Sequence, residues 1–331
     1  MRRIAGLPAV PLAALLTVLL AACSSGSSGA SKASPSASAS ATAVPSPVAS
    51  ASPMPTVTGD FGSKATITIP SEKPSGQFVV STVSEGDGAT VAKGDWVTVN
   101  YTAKDWTTGK DVSSSYDAGG KPQLYQAGTG QLVPAFDQSV IGKKVGSRLL
   151  VVAPPAAGFG TGGNTSAGVG GQDTVVFVLD LVESLAPDST ITGDVTQPPA
   201  SAPQVKQNGK QAPTITIPAG QAPPTDLQTY VLIKGDGKQV QSGQQLLVQY
   251  TGVLWADGKQ FDSSYSHGGA QALQVGTGSL IKGWDQGLVG QTVGSQVMLV
   301  VPPSLGYGDK ESGPVPANST LVFVIDILEA V

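Results

Sequence analysis

Residues 246–269 read LLVQYTGVLWADGKQFDSSYSHGG, and residues 96–120 read WVTVNYTAKDWTTGKDVSSSYDAGG. The two stretches begin an internal repeat, because three further motifs follow each of them in the same order. LIKGWDQGLVG at 280–290, VPPSLGYG at 301–308 and TLVFVIDILEA at 320–330 correspond to LVPAFDQSVIG at 132–142, APPAAGFG at 153–160 and TVVFVLDLVES at 174–184. Two copies are too few for a stacked solenoid, so we expect two independent domains of ordinary size.

Apolar residues alternate with other residues through most of each copy, which predicts half-buried β-strands. Leu246, Val248 and Tyr250 share one face of such a strand, as do Val97, Val99 and Tyr101 in the first copy; the last segments repeat the pattern with Leu321, Phe323, Ile325 and Ile327 and with Val175, Phe177, Leu179 and Leu181. Only the stretch from about Ile281 to Leu288 favours a helix. One short helix against an antiparallel sheet is an α+β arrangement.

The chain begins with Arg2 and Arg3, continues with an apolar run over about 7–22, and places Leu-Ala-Ala directly before Cys23. This beginning resembles a bacterial lipoprotein signal, so we expect a signal peptide at 1–22 and lipidation of Cys23. The alternative is that Cys23 is an incidental residue of a cleaved signal. The first interpretation predicts an extracytoplasmic protein, anchored to the cell membrane through its lipid.

Ser, Ala, Pro and Gly dominate after Cys23, and this composition predicts a disordered stalk over 23–58. A second stretch rich in Pro, Gln and Ser predicts a linker at 187–212 and leaves domains at 59–186 and 213–331. ATITIP at 65–70 recurs as PTITIP at 213–218, which suggests that an extended lead-in segment belongs to each repeat.

Charge and residue content argue against several classes of function. A net charge of −4 with 13% charged residues provides no basic stripe, so we expect no nucleic-acid partner. GFGTGG at 158–163 formally fits a dinucleotide fingerprint, but the Gly- and Ser-rich residues after it cannot readily supply the required helix. The single histidine, His267, is expected to be an exposed loop residue, and we predict no metal and no cofactor.

The motifs Tyr-Thr-Gly, Phe-Asp-Ser-Ser, Ile-Lys-Gly-Trp and Gly-Tyr-Gly follow one another in the second copy. In this order they resemble FKBP-type peptidyl-prolyl cis-trans isomerases, over about Tyr230 to Val331 and more weakly over about Gln77 to Ser184. The resemblance implies a bent antiparallel sheet around a short helix in each of two tandem domains. It also implies isomerisation of X-Pro bonds, and together with the signal at 1–22 it predicts exported polypeptides as substrates. The alternative is a polypeptide-binding chaperone or scaffold in which isomerisation is incidental.

The resemblance also implies roles for individual residues of the second copy. Asp262 and Tyr307 are the implied catalytic polar pair, with Tyr307 donating to the substrate carbonyl and Asp262 near the rotating amide. The implied proline pocket is lined by Tyr250, Phe261, Leu280, Ile281, Trp284, Val315 and Phe323, with Trp284 as its floor and Val315 on a rim loop. Since no histidine or cysteine takes part, activity is expected to be nearly flat from about pH 6 to 8.

Some positions depart from the family pattern. In the second copy, Gln271 stands where an aromatic wall residue is usual, and Ser279 where many members carry a longer polar side chain. In the first copy Tyr101 and Phe177 remain, but the pocket positions carry Val112 for phenylalanine, Ser113 for aspartate, Phe136 for tryptophan and Phe159 for tyrosine. The first copy therefore favours a binding or spacing module with weak or absent catalysis.

Overall fold

The computed structural model describes residues 44–331, which divide into two compact units at Ser184 and Leu185. The predicted signal peptide, Cys23 and the first part of the predicted stalk lie outside the described residues. No helix within 44–331 is long and apolar enough to cross a membrane.

The first unit contains eight strands, one α-helical turn and a short 3-10 turn at Thr165–Ala167. The strands are β1 (Thr56–Thr58), β2 (Thr66–Thr68), β3 (Val79–Ser84), β4 (Trp96–Asp105), β5 (Asp111–Ser114), β6 (Gln123–Gln126), β7 (Arg148–Ala153) and β8 (Val175–Leu185), and the helical turn is α1 (Pro134–Asp137). The main sheet has the order β3-β7-β8-β4-β5, and β6 pairs with β4 beside β5. Strands β1 and β2 form a separate antiparallel hairpin.

The second unit repeats this arrangement. Its elements are β9 (Gln204–Asn208), β10 (Gln211–Thr216), β11 (Gln228–Ile233), β12 (Gln245–Leu254), β13 (Gln260–Ser263), β14 (Gln271–Gln274), α2 (Lys282–Leu288), β15 (Gln296–Val301) and β16 (Leu321–Ala330). The sheet order is β11-β15-β16-β12-β13 with β14 on β12, and β9 and β10 form the separate hairpin. The α+β prediction with one short helix per domain is therefore confirmed.

Two glycines allow α2 to lie close to the sheet. A Cβ at Gly283 would lie 2.5 Å from a Val301 methyl group, and one at Gly287 would lie 2.6 Å from a Leu299 methyl group. The first unit has Ala135 and Ser139 at these positions and Pro134 at the start of the helix. Its helix is a single turn.

The central strands are buried on both faces, so the prediction of half-buried strands is wrong for them. In β16, Leu321, Phe323 and Ile325 pack with α2, whereas Val322 and Val324 pack on the opposite face. Val205 of β9 and Ile215 of β10 cover that opposite face together with Trp255. A sheet with apolar residues on both faces needs a covering element on each face. The helix α2 covers one face, and the β9-β10 hairpin covers the other.

The same cover exists in the first unit, where Ile67 of β2 packs against Val79, Val176 and Val178. Both hairpins are fastened by an equivalent tryptophan. The Trp106 indole Nε1 donates to the Glu72 carbonyl at 3.1 Å, and Trp255 Nε1 donates to the Gln221 carbonyl at 3.4 Å. The lead-in segment that recurs in the sequence is thus an integral part of each unit.

The structure differs from the predicted boundaries on this account. Val48 bridges to Val79 and β1 lies at Thr56–Thr58, inside the predicted stalk. All of β9 and the start of β10 lie inside the predicted linker 187–212. Composition predicted flexibility there because Pro, Ser and Gln are abundant, but a few apolar side chains suffice to bind the hairpin to an apolar sheet face.

We expect a fragment of residues 185–331 to fold, and a fragment of residues 223–331 to unfold at lower urea concentration, because the shorter one exposes the face formed by Val322 and Val324. In the longer fragment, Ile215→Asn should lower the free energy of unfolding by about 2 to 4 kcal/mol, because it places a polar side chain against this apolar face. The matched control is Thr216→Asn at the exposed neighbouring position, which should change the free energy of unfolding little. Equal urea midpoints for the two fragments would show that the hairpin is dispensable.

Each hairpin is also held by a buried polar pair on neighbouring strands, and this pair differs between the units. Arg148 and Asp180, whose side chains are each 1% exposed, form two hydrogen bonds of 2.7 Å. Arg148 Nη2 further donates to the Ser63 carbonyl at 2.6 Å, and Gly62 N donates to Asp180 at 2.9 Å. The ion pair thereby fixes the turn between β1 and β2.

The second unit has Gln296 in place of this arginine. Gln296 Nε2 donates to Asp326 Oδ1 at 2.7 Å, the Ile191 amide donates to Asp326 Oδ2 at 2.9 Å, and Gln207 of the hairpin donates to Gln296. The carboxylate is buried with neutral partners, and its desolvation raises the pKa of Asp326 to about 6 despite these hydrogen bonds.

This raised pKa predicts a pH-dependent stability of the second unit. The pKa of Asp326 is about 6 when folded and about 3.9 when unfolded, so the folded state binds the proton more tightly between these values. The free energy of unfolding should fall as the pH rises from about 4 to about 6, by about 3 kcal/mol at most, and then level off. Asp326→Asn should remove this slope in urea unfolding of residues 185–331.

The control lies in the first unit, where Asp180→Asn would leave the buried Arg148 charge without its carboxylate. That substitution should destabilise the first unit by about 3 to 5 kcal/mol. An unchanged slope in the Asp326→Asn variant would show that another group titrates.

Candidate active site

An aromatic box lies on the face of the second sheet that α2 covers. Trp284 projects from α2 onto the sheet, and its ring contacts those of Tyr250 and Phe323 edge to face, with centroid distances of 5.3 Å for both. Phe261 of β13 contacts Phe323 in the same way at 5.4 Å. Trp284 and Phe323 are buried while Tyr250 and Phe261 are partly exposed, so the box has a closed floor and open walls.

Gly252 of β12 makes room for this arrangement. A Cβ at Gly252 would lie 2.7 Å from Phe261 Cζ and 2.9 Å from Phe323 Cε1. The first unit has Ala103 at this position and Val112 where Phe261 stands. An alanine methyl group and a phenylalanine ring cannot both occupy the space, so these two differences belong together. Sequence reasoning noted Val112 but missed its link to Ala103.

The remaining predicted wall residues lie around the box in different ways. Leu280 and Ile281 are partly buried and pack against the core at the start of α2. Val315 lies on the loop between β15 and β16, as predicted, but it is only 2% exposed and belongs to the core. Gln271, at the usual aromatic position, donates from Nε2 to the Gly269 carbonyl at 2.9 Å and so fastens its own loop.

Asp262 places a carboxylate beside the aromatic box. Its Oδ2 accepts a hydrogen bond of 2.7 Å from the Tyr250 hydroxyl, and its Oδ1 accepts one of 2.8 Å from the Ser263 amide. The structure therefore joins Asp262 directly to Tyr250, whereas sequence reasoning had paired it with Tyr307.

Tyr307 lies on the loop after β15 and is 39% exposed. Partial burial, and secondly the negative charge of Asp262, raise the pKa of the Tyr307 hydroxyl. Burial and the hydrogen bond to Asp262 also raise the pKa of Tyr250. Both hydroxyls therefore keep their protons at neutral pH, and Tyr307 can donate to a bound carbonyl oxygen.

His267 is exposed, as predicted, but it also belongs to the site. A short 3-10 turn at Ser264–Ser266 reverses the chain and brings His267 Nε2 to 2.9 Å from Asp262 Oδ1. Sequence reasoning missed this contact because five residues separate the two side chains, a spacing that neither a strand nor a helix brings together. Within residues 44–331, no group of three or more potential ligand side chains forms a metal site.

Comparisons with known proteins agree with this geometry. The family described as "FKBP-type peptidyl-prolyl cis-trans isomerase" matches the chain over residues 88–182 and 236–328. The chain belongs to this family. Each matched segment contains the helix and most strands of one sheet, but not its first strand, β3 or β11.

Individual relatives show the same likeness. An FK506-binding protein of Streptomyces anulatus is 38% identical over 120 residues, which are 36% of this chain and 96% of that protein. Human peptidyl-prolyl cis-trans isomerase FKBP10 is 31% identical over 240 residues, which are 72% of this chain and 35% of that protein. Among solved structures, FkpA from Escherichia coli is 37% identical over 32% of this chain and 48% of its own, with a TM-score of 0.30.

The first FKBP unit retains aromatic rings but lacks the polar groups. Phe136 contacts Tyr101 at 5.4 Å and Phe177 at 5.2 Å. Ser113 is exposed where the second unit has Asp262, and Phe159 has no hydroxyl group. Tyr125 is buried, and its hydroxyl donates to the Phe136 carbonyl at 3.1 Å, so it is not available to a ligand. The first pocket therefore lacks the Asp262 carboxylate and the Tyr307 hydroxyl of the second, whereas Tyr101 remains at the position of Tyr250.

Proposed function

We propose that the second unit catalyses X-Pro isomerisation in exported polypeptides and that the first unit contributes little to catalysis. The observation that carries this division is the combination of the four-ring box with Asp262 and Tyr307 in the second unit alone. The first unit has Val112 at the position of Phe261 and Phe136 at the position of Trp284. It also lacks counterparts of the Asp262 carboxylate and the Tyr307 hydroxyl. A pocket for the proline ring is thus complete only in the second unit.

The reaction needs no nucleophile, because the barrier to rotation is the loss of amide resonance. The box of Tyr250, Phe261, Trp284 and Phe323 encloses the proline ring and removes water from the planar amide, whose polar resonance form water stabilises. As the bond twists, Tyr307 donates to a carbonyl of the substrate and Asp262 faces the rotating amide. Each group acts without bond formation.

A binding role is the second candidate, and the first unit favours it. Its ring cluster around Phe136 is intact and partly open through Tyr101 and Phe159, yet it offers no carboxylate to a twisting amide. This unit would bind apolar proline-containing segments.

Single substitutions in the full chain separate these roles. Trp284→Ala removes the floor of the second pocket and should lower kcat/KM on a short X-Pro peptide by more than about tenfold, whereas the matched Phe136→Ala should change it little. Tyr307→Phe removes one neutral hydrogen bond, of about 1 kcal/mol, and should cost about tenfold or less. Peptide isomerisation followed by NMR measures all three.

Circular dichroism controls for unfolding, since Trp284→Ala should also destabilise its unit by about 3 to 5 kcal/mol. Trp284→Phe, which copies the first unit, serves as the milder variant if the alanine protein unfolds. Equal losses from Trp284→Ala and Phe136→Ala would assign catalysis to both units. A larger loss from Tyr307→Phe than from Trp284→Ala would contradict catalysis by enclosure.

The Leu-Ala-Ala-Cys sequence at 20–23 supports the further proposal that the protein is exported and held at the membrane by a lipid on Cys23. In a bacterial host, Cys23→Ser should abolish incorporation of labelled fatty acid and shift the protein from membranes to the soluble fraction. Since one acyl chain gives only marginal attachment, the wild type should carry more than one. Labelling that persists in the serine variant would exclude Cys23 as the attachment site.

A further inference from the structure

His267 stands in direct contact with the carboxylate of the proposed active site. Its Nε2 lies 2.9 Å from Asp262 Oδ1, and the two side chains are 58% and 40% exposed. The backbone at His267 is held in a turn, in which the His267 amide donates to the Ser264 carbonyl at 2.9 Å. Ser264 is itself anchored, because its hydroxyl donates to Gln249 at 2.6 Å and accepts from the Tyr250 amide at 2.8 Å.

Three tyrosines lie near this contact, and their hydroxyl groups keep their protons near neutrality. Tyr250 of β12 faces Asp262 from one side and Tyr307 from the loop after β15, and the pKa of each hydroxyl is raised. Behind the turn, burial and the charge of Asp326 raise the pKa of Tyr265. Among the described ion pairs, the one that includes Asp262 is with His267. A histidine imidazole changes charge between about pH 5 and pH 8.

The first unit lacks both residues of this pair. Ser113 stands there at the position of Asp262, and Ala118 stands at the position of His267. Both members of the pair are therefore absent together in the copy that also has Phe159 in place of Tyr307.

Charge on His267 should act on the reaction through Asp262. A planar amide carries partial negative charge on its oxygen, and twisting withdraws that charge as resonance is lost. A carboxylate that lies nearer the oxygen than the nitrogen of the rotating amide therefore disfavours the planar form relative to the twisted one. An imidazolium at 2.9 Å offsets the carboxylate charge and weakens this preference, whereas a neutral imidazole leaves the charge intact.

We infer that His267 is a positioning residue of the isomerase site, which orients the Asp262 carboxylate and lowers its influence on the amide when protonated. The inference rests on the proposed function of the second unit, and it replaces the expectation of activity that is flat with pH. Because both side chains are partly exposed, the effect on the rate is modest. An exposed ion pair allows about a two- to fivefold change.

The test uses the full chain and an acetylated, amidated X-Pro peptide without ionisable side chains. Exchange NMR measures isomerisation directly, so no coupled protease adds a pH dependence of its own. From about pH 5.5 to about pH 8, kcat/KM of the wild type should rise about two- to fivefold, mainly through kcat. His267→Gln keeps an N–H group but cannot titrate, and its profile should be flat near the upper value of the wild type.

Asp326→Asn is the matched control. The pKa of Asp326 is raised to about 6, so this carboxyl group titrates within the pH range of the assay. It should retain the slope of the wild type, whereas His267→Gln should lose it. A flat wild-type profile, or a slope that survives in His267→Gln, would overturn the inference while leaving the isomerase activity established.

A second readout does not depend on activity. The Ser263 amide donates to the same Oδ1 atom that His267 contacts, so its proton chemical shift reports the charge on that oxygen. This shift should titrate in the wild type and not in His267→Gln. If it titrates but no peptide is isomerised at any pH, the proposed function fails and the pairing stands. If it does not titrate in the wild type, the pairing itself is wrong.

Discussion

The fold depends on one constraint, namely that each central sheet is apolar on both faces and must be covered twice. Strands β15 and β16 place Leu299 and Phe323 on one face and Val300 and Val322 on the other. The short helix covers the first face and leaves an opening beside it, which is the aromatic pocket. The lead-in hairpin covers the second face, and Ile215, Ile217 and Trp255 line a separate cavity beside it. The proposed proline pocket therefore lies on the face that the helix covers.

The two units meet this constraint with the same parts but different chemistry. Arg148 and Asp180 form a buried ion pair at the positions where the second unit has Gln296 and Asp326. A neutral partner costs the second unit stability above about pH 6, since a buried carboxylate without a cation is poorly stabilised. Removing one member of the ion pair would lower the stability of the first unit by more. Replacement of the buried carboxylate by an amide is therefore expected to leave an unpaired buried cation in the first unit, whereas in the second unit it removes a buried charge that has no cationic partner.

Sequence alone predicted the α+β class, the short helix near 281–288 and the aromatic floor, because these follow from periodicity and from four ordered motifs. It did not predict that the Pro- and Ser-rich segments before each repeat are structured. Their apolar residues, such as Val205 and Ile215, are too few to indicate a strand until the apolar sheet face that they cover is known. The recurring ATITIP and PTITIP segments were the one available signal.

In the site, what sequence could not supply is the set of contacts made across loops. Gly252 looks like an ordinary glycine until the rings of Phe261 and Phe323 are seen to occupy the space of a Cβ. That steric relation explains why the first unit carries Ala103 and Val112 together, and it means that Val112→Phe alone cannot rebuild the pocket. The polar groups are linked in the same way, because the Asp262 carboxylate accepts a hydrogen bond from Tyr250 and contacts His267. The differences between the two pockets are therefore distributed over linked positions, and no single substitution would convert the first pocket into the second.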